Sequence, residues 1–248
     1  MANTLAFQLY TLNEFEGGWE AAFDVVKGMG IDTIEAWCGA VPDDPKASMS
    51  LGGFRKSLLN RGMKLTCGHL TVQEFDERYE EWRDLLLELG STDWVIPFAN
   101  AETLKEWLGW LPMFREMAAR MRQDGLSLGY HNHHMELVKM DGKYVMEHLL
   151  DTMPELNAQF HIGQFLPERG ISLPDWIRKY KGRVRSLHVN DSAGHGSVRL
   201  GQGVCKDEES IKTALDTGVT TFILEIMLTQ ASLDGVKQDV EFTRRLIG

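Results

Sequence analysis

An apolar, strand-like run followed by an amphipathic, helix-like segment recurs eight times along this chain, about every 30 residues, the length of one strand–helix unit. The strand-like runs fall at 5–10, 33–37, 64–70, 93–98, 126–133, 158–163, 184–190 and 221–226. The helix-like segments between and after them run over 19–29, through 54–61, and over 73–89, 101–123, 143–152, 173–180, 208–217 and 233–247. Gly30, Gly90 and Gly125 sit where helices end and strands begin, as expected of glycine C-caps. Strands that alternate with helices build right-handed crossovers and a parallel sheet.

Eight such units in 248 residues, without a linker or a low-complexity tract, predict one (β/α)8 TIM barrel over residues 1–248, a fold that takes about 250 residues. The alternative is a doubly wound open sheet, which usually carries a glycine-rich phosphate turn after its first strand. Tyr10-Thr11-Leu12-Asn13-Glu14 is no such turn. The core is well provided for, with 43% hydrophobic residues, seven Trp and eleven Phe.

The formal charge of −10 argues against a nucleic-acid partner, which calls for a basic face. No window reaches the roughly 18 uninterrupted apolar residues of a membrane span, so no membrane association is expected. Met1-Ala2-Asn3-Thr4 leads straight into a strand and shows no export signal, and Cys38, Cys67 and Cys205 form no CxxC pair. Together these predict a cytoplasmic protein with reduced thiols. Trp82, Trp107 and Trp110 lie on helices and would mark a homo-oligomer interface if exposed.

Five of the eight histidines lie at or near strand ends: His69, His131, His133, His161 and His188. In His131-Asn132-His133 two imidazoles two residues apart on a strand share a face. In a closed parallel barrel that face is the C-terminal mouth, where enzymes of this architecture keep their chemistry. Gln8, Glu35 and Glu225 end neighbouring strands in the same way. Glu225 stands inside the apolar run Phe222-Ile223-Leu224-Glu225-Ile226, and a lone carboxylate there is costly to bury without a cation or several donors. Three or four imidazole and carboxylate groups with one open position form a catalytic type of divalent-metal site. Of the rest, Trp37 would give an apolar wall for a sugar ring, with His69 and Gln8 as further substrate contacts. Gly201-Gln202-Gly203 is either a backbone approach to substrate or a turn. His134, His148 and His195 lie outside the convergent set.

At these residues the chain resembles the xylose isomerase-like TIM-barrel superfamily, in particular its sugar phosphate isomerase/epimerase group. The similar pieces run in order along the chain: Phe7-Gln8-Leu9-Tyr10-Thr11-Leu12, Gly30-Ile31-Asp32-Thr33-Ile34-Glu35, Gly129-Tyr130-His131-Asn132-His133, the stretch from Tyr180 to Asp191, Gly201-Gln202-Gly203, and the last strand with Glu225. The resemblance implies one divalent ion bound by residues of the fifth to eighth strands, usually Glu, Asp, His and Glu. Carried onto this chain, those positions are His131, His161, His188 and Glu225, with Glu136 a further carboxylate near the fifth strand. Phe160-His161-Ile162 departs from the usual aspartate at the sixth strand. An imidazole-rich set suits zinc, manganese or cobalt better than magnesium.

The implied chemistry is proton transfer next to a carbonyl of a small sugar or cyclitol, with isomerisation or epimerisation as the outcome. A lyase on the same scaffold, of the inosose dehydratase kind, is the alternative, and a barrel that has lost metal and catalysis is the third. His133 is the expected general base, with an imidazole of ordinary pKa, and Glu35 and Glu136 are the alternatives.

Overall fold

The computed structural model describes residues 2–40, 49–194 and 196–248. Eight parallel strands close into a barrel: β1 (Thr4–Gln8), β2 (Thr33–Trp37), β3 (Lys64–His69), β4 (Asp93–Ile96), β5 (Ser127–His131), β6 (Asn157–His161), β7 (Val184–Val189) and β8 (Thr221–Leu224). Each pairs with its sequence neighbours and β1 closes on β8, so the architecture is the expected (β/α)8 TIM barrel.

Alternation along the strands sorts the side chains. Phe7, Ile34, Trp94, Tyr130, Phe160, Leu187 and Phe222 point outward and are fully buried beneath the helices. Ala6, Cys67, Val95 and Ile223 form a separate apolar cluster inside the barrel, a floor below the polar mouth. An eight-stranded barrel is just wide enough for side chains to fill, so the strand ends meet across it. Two register shifts, between β2 and β3 and between β6 and β7, fall beside the polar layer and re-aim the side chains there.

The helices follow from their apolar spacing. α1 is Gly18–Gly28 and α2 is Leu51–Asn60. In α3 (Val72–Glu88), Phe75, Tyr79, Trp82 and Leu86 recur at four, three and four residues and form the buried stripe. Thr71 caps it by accepting from Glu74 N–H. Trp94, fully buried, packs on Phe75 and Tyr79 and donates its indole N–H to Leu70 O.

The expected single helix over 101–123 is two: α4 (Leu104–Gly109) and α5 (Leu111–Gln123). Pro112 is the reason, because its ring restricts the residue before it and suits only a helix's first turn. The next helix is also shorter than expected. Lys143–Tyr144 pairs with Lys139–Met140 in a small antiparallel hairpin, and α6 begins only at Val145 (Val145–Thr152). α7 (Leu173–Lys179), α8 (Asp207–Thr217) and α9 (Leu233–Ile247) complete the ring. Trp176 and Tyr180, on and just beyond α7, hold Phe160 and thereby the back of β6.

Trp82 and Trp107 are buried against the barrel wall, and Trp110 is half-buried on Phe114, so these residues offer no exposed apolar face. Among the described residues, no helix is long and apolar enough to cross a membrane.

Candidate active site at the barrel mouth

His131, His161 and His188 come from three neighbouring strands, β5 to β7, and Glu225 follows β8 directly. One ligand atom from each lies within 4.8 Å of every other. His161 Nδ1 is 3.2 Å from His131 Nε2 and 3.0 Å from Glu225 Oε2. His188 Nδ1 is 2.7 Å from Glu225 Oε2. Four atoms bound at 2.0–2.2 Å around a tetrahedral ion would stand about 3.3–3.6 Å apart, so the donor set needs to open only slightly to accept one.

Beneath this set lies a fully buried polar layer centred on Gln159. Its Nε2 donates to Glu35 Oε1 (2.7 Å) and to Ser186 Oγ (2.9 Å). Its Oε1 accepts from His69 Nε2 (2.5 Å) and His131 Nδ1 (2.8 Å). The tautomers follow from these partners: His69 carries its proton on Nε2, and His131 carries its proton on Nδ1. His69 Nδ1 then accepts from Gln8 Nε2, which also donates to Glu35 Oε2 at 2.5 Å. His131 Nε2 is left as a lone pair facing the mouth.

Glu35 is wholly buried. Besides the two amides, the Cys67 thiol donates to it at 2.8 Å, and His188 Nε2 lies 2.6 Å from Oε2 as an ion pair, off the line of a directed hydrogen bond. Burial favours a neutral carboxyl, but the His188 and His69 rings beside it bring Glu35 down to about 2. Burial likewise disfavours charge on His188, yet Glu35 and Glu225 hold its pKa up at about 10. Glu225 lies well below the ordinary carboxylate range, since the facing His161 and His188 rings outweigh its burial. His131 is pushed well below the usual imidazole value by burial and by the His188, His69 and His161 rings around it.

The proposed site residues therefore part company. His131, His161, His188 and Glu225 converge at the mouth, whereas Gln8, Glu35 and His69 form the layer that supports them. Gln8 and His69 are turned into this layer and hydrogen-bonded there, so neither is presented to a ligand as a substrate contact. Glu35 is enclosed by its own donors and is not available as a free base.

Glu136 does not join the cluster at all. The Tyr130 hydroxyl donates to Oε1 (2.7 Å) and the His133 backbone N–H to Oε2 (2.8 Å), so this buried carboxylate braces the turn after β5 from its outer side.

His133 is half-buried with its ring 4.8 Å from that of His131, and its buried Nδ1 has no partner. Its pKa is not the ordinary one: burial, with the His161 ring nearby, lowers it to about 4. Trp37 stands at the rim, edge-on to Tyr10 with ring centroids 5.0 Å apart.

Gly201-Gln202-Gly203 binds its own chain. Gly203 N–H donates to Asp191 Oδ2 and Gly201 N–H to Asp207 Oδ2, so these two carboxylates shape the loop after β7. His195, in the same loop, lies outside the described residues.

A cavity of about 530 Å³ opens beside the cluster, lined among others by Tyr10, His161, Asn190, Arg199, Gln202 and Glu225. Another, of about 590 Å³, lies at the opposite end of the barrel among Thr4, Asp32, Lys64 and Arg244, and none of the histidines lines it.

Gln159 and Asn190 were not anticipated from the sequence. The signal for Gln159 was present, since it stands two residues before His161 and shares its face. Asn190 likewise stands two residues after His188, at the end of the strand-like run 184–190.

No family model matches the sequence, and no curated protein matches it. Solved structures do resemble the fold. A sugar phosphate isomerase/epimerase of Parabacteroides distasonis superposes with a TM-score of 0.77 at 16% identity, over 100% of this chain and 96% of that one. The probable 3-DHS dehydratase AsbF of Bacillus anthracis, involved in petrobactin synthesis, gives 0.73 at 13% identity over 97% and 98%. A xylose isomerase-like TIM barrel protein of Mycobacterium smegmatis, in complex with magnesium, gives 0.69 at 15% over 100% and 97%. The chain has the fold of the xylose isomerase-like TIM barrels, the superfamily that its ordered motifs resemble.

Proposed function

We propose that this barrel is a metal-dependent isomerase or epimerase of a small sugar or sugar-like ketone. The observation that carries this reading is the convergence of three imidazoles and one carboxylate, from strands β5 to β8, beside a cavity large enough for such a molecule. The donor set fits a divalent ion. His131 Nε2 is a lone pair, Glu225 is a carboxylate held ionised, and His188 can ligate through Nδ1 while Glu35 holds its Nε2. A carboxylate behind a metal-binding imidazole fixes its orientation and raises its basicity. An imidazole-rich donor set favours zinc, manganese or cobalt over magnesium. When bound, the ion would polarise a substrate carbonyl or hydroxyl and acidify the neighbouring C–H.

The chain's own residues then have distinct tasks. Gln159 aims His131 by accepting its Nδ1–H, and Glu35 aims His188. His133 Nδ1 is a buried, unpartnered nitrogen beside His131. The ring is neutral at pH 7, so its lone pair is free to take a proton, as a weak base because burial lowers its pKa to about 4. Trp37 and Tyr10 form an apolar rim against which a sugar ring can lie. Return of the proton to the neighbouring carbon gives isomerisation, and return to the opposite face of the same carbon gives epimerisation.

A lyase is the second reading. It is favoured by the imidazole-rich mouth and by the likeness to a protein described as a probable dehydratase. Incubation of the purified protein with keto-sugars and cyclitols in deuterated water, with a divalent salt present, separates the two. Solvent deuterium in a product that keeps all its oxygens supports the isomerase or epimerase. Loss of water from the substrate overturns it in favour of the lyase, and no turnover across the panel counts against both.

A further inference from the structure

The four donor atoms of the mouth are not equivalent, and Asn190 is the reason. Its side-chain amide lies between Gly163 and His161. The Gly163 backbone N–H points at one end of that amide, 2.7 Å away, so this end is the carbonyl Oδ1. The other end, the Nδ2 amino group, then faces His161 Nε2 at 2.5 Å. An amide NH2 only donates, so His161 Nε2 must accept, and the ring carries its proton on Nδ1. Glycine is needed at 163 for this approach, because a Cβ there would stand 2.7 Å from Asn190 Oδ1.

The other edge of the ring agrees. His161 Nδ1 faces Glu225 Oε2 at 3.0 Å and His131 Nε2 at 3.2 Å, and both are acceptors. A proton between two acceptors is satisfied, whereas a lone pair there would meet two others. The His161 backbone N–H is itself held by Asn132 Oδ1 at 3.1 Å, which fixes where the ring starts from.

We propose that His161 is a hydrogen-bond donor and not a fourth metal ligand: Asn190 keeps its proton on Nδ1, and the ion of the reading above, on which this rests, is held by His131, His188 and Glu225 alone. His161 is then a positioning residue that orients the Glu225 carboxylate at the edge of the cavity. Three protein ligands with one position left over is the arrangement of catalytic rather than structural sites. It also makes residue 190 the determinant of ligand number. An aspartate there would still accept from Gly163 N–H, but it would demand a proton on His161 Nε2 and so turn a lone pair at Nδ1 toward the ion.

Zn²⁺ affinity of the full chain, measured by competition with a chromophoric chelator, tests this. His131→Gln should weaken Zn²⁺ binding about 100-fold or more, while His161→Gln stays within several-fold of the unaltered chain and Asn190→Asp binds about 10-fold more tightly, as a carboxylate behind a ligating imidazole does. Equal losses in His161→Gln and His131→Gln, with no gain in Asn190→Asp, overturn the proposal. Nitrogen NMR of the unaltered, metal-free chain decides the tautomer without any substitution. A proton on His161 Nδ1 supports the proposal and a proton on Nε2 overturns it. Absence of Zn²⁺ binding by the unaltered chain removes the metal reading and the ligand count with it, and leaves the donor assignment to the NMR result.

Discussion

His131 turns its Nδ1–H onto Gln159 Oε1, 2.8 Å away, and thereby leaves Nε2 as a lone pair toward the mouth, 3.2 Å from His161 Nδ1. Gln159 can accept there because its own amino group is committed to Glu35 and Ser186. One buried amide thus sets the tautomer of a proposed ligand from below.

Gln159→Leu removes that acceptor and leaves His131, His69 and Glu35 short of a partner. Divalent-metal affinity should fall about 10- to 100-fold, the usual scale for loss of a group that orients a ligand. The folded state should lose about 1–3 kcal/mol through unsatisfied buried polar atoms. Chelator competition and urea unfolding read the two effects separately, and unchanged metal affinity would remove Gln159 from the site's support.

The His188 ring sets a proton count. Glu35 and Glu225 hold its pKa near 10 in the metal-free chain, so it is charged at pH 7, and ligation through Nδ1 must expel a proton. Calorimetry in buffers of different ionisation enthalpy should show release of about one proton per ion at pH 7, and a smaller release in Glu35→Gln. The same pair sets the stability of the metal-free chain. The His188 contribution is fully present below its unfolded value of 6.5 and is lost as pH rises through about 10. The Glu35 contribution is present above 4.5 and is lost as pH falls through about 2. Thermal midpoints of the metal-free chain should therefore fall on going from pH 6.5 to pH 10. A flat profile over that range contradicts the charged His188.

Glu136 and His133 are neighbours with different tasks. Glu136→Ala should cost about 1–3 kcal/mol in unfolding experiments, because it frees the Tyr130 hydroxyl and the His133 backbone N–H. Its metal affinity should not change. His133→Gln should keep both stability and metal while turnover drops by about 10² or more, the scale for losing a general base. Unimpaired turnover in His133→Gln would place the base elsewhere.

The barrel was legible because each strand–helix unit states itself locally, in an apolar run, an amphipathic stripe and a closing glycine. The convergence of His131, His161, His188 and Glu225 was legible for the same reason, as residues at strand ends in a closed barrel must meet. What was not legible depends on contacts between distant segments. Glu136 is three residues from His133, yet it folds back onto Tyr130. Glu35 lies in the middle of β2, two residues before Trp37, and it sinks with Gln8 and His69 into the layer beneath the mouth. The tautomers of His131 and His161 are set by amides 28 and 29 residues away, at Gln159 and Asn190. The break at Pro112 and the shared face of Gln159 and His161 are written in the chain, but the long helical run and the neighbouring histidine mask them.

The most direct measurement is an anomalous-scattering map of crystals grown with Zn²⁺ or Co²⁺, together with metal counted by elemental analysis. The account predicts one ion per chain, bonded at about 2.0–2.2 Å to His131 Nε2, His188 Nδ1 and a Glu225 oxygen, and its loss from His188→Ala. No ion at the mouth of the unaltered chain, or an ion bound elsewhere and retained by His188→Ala, would contradict it.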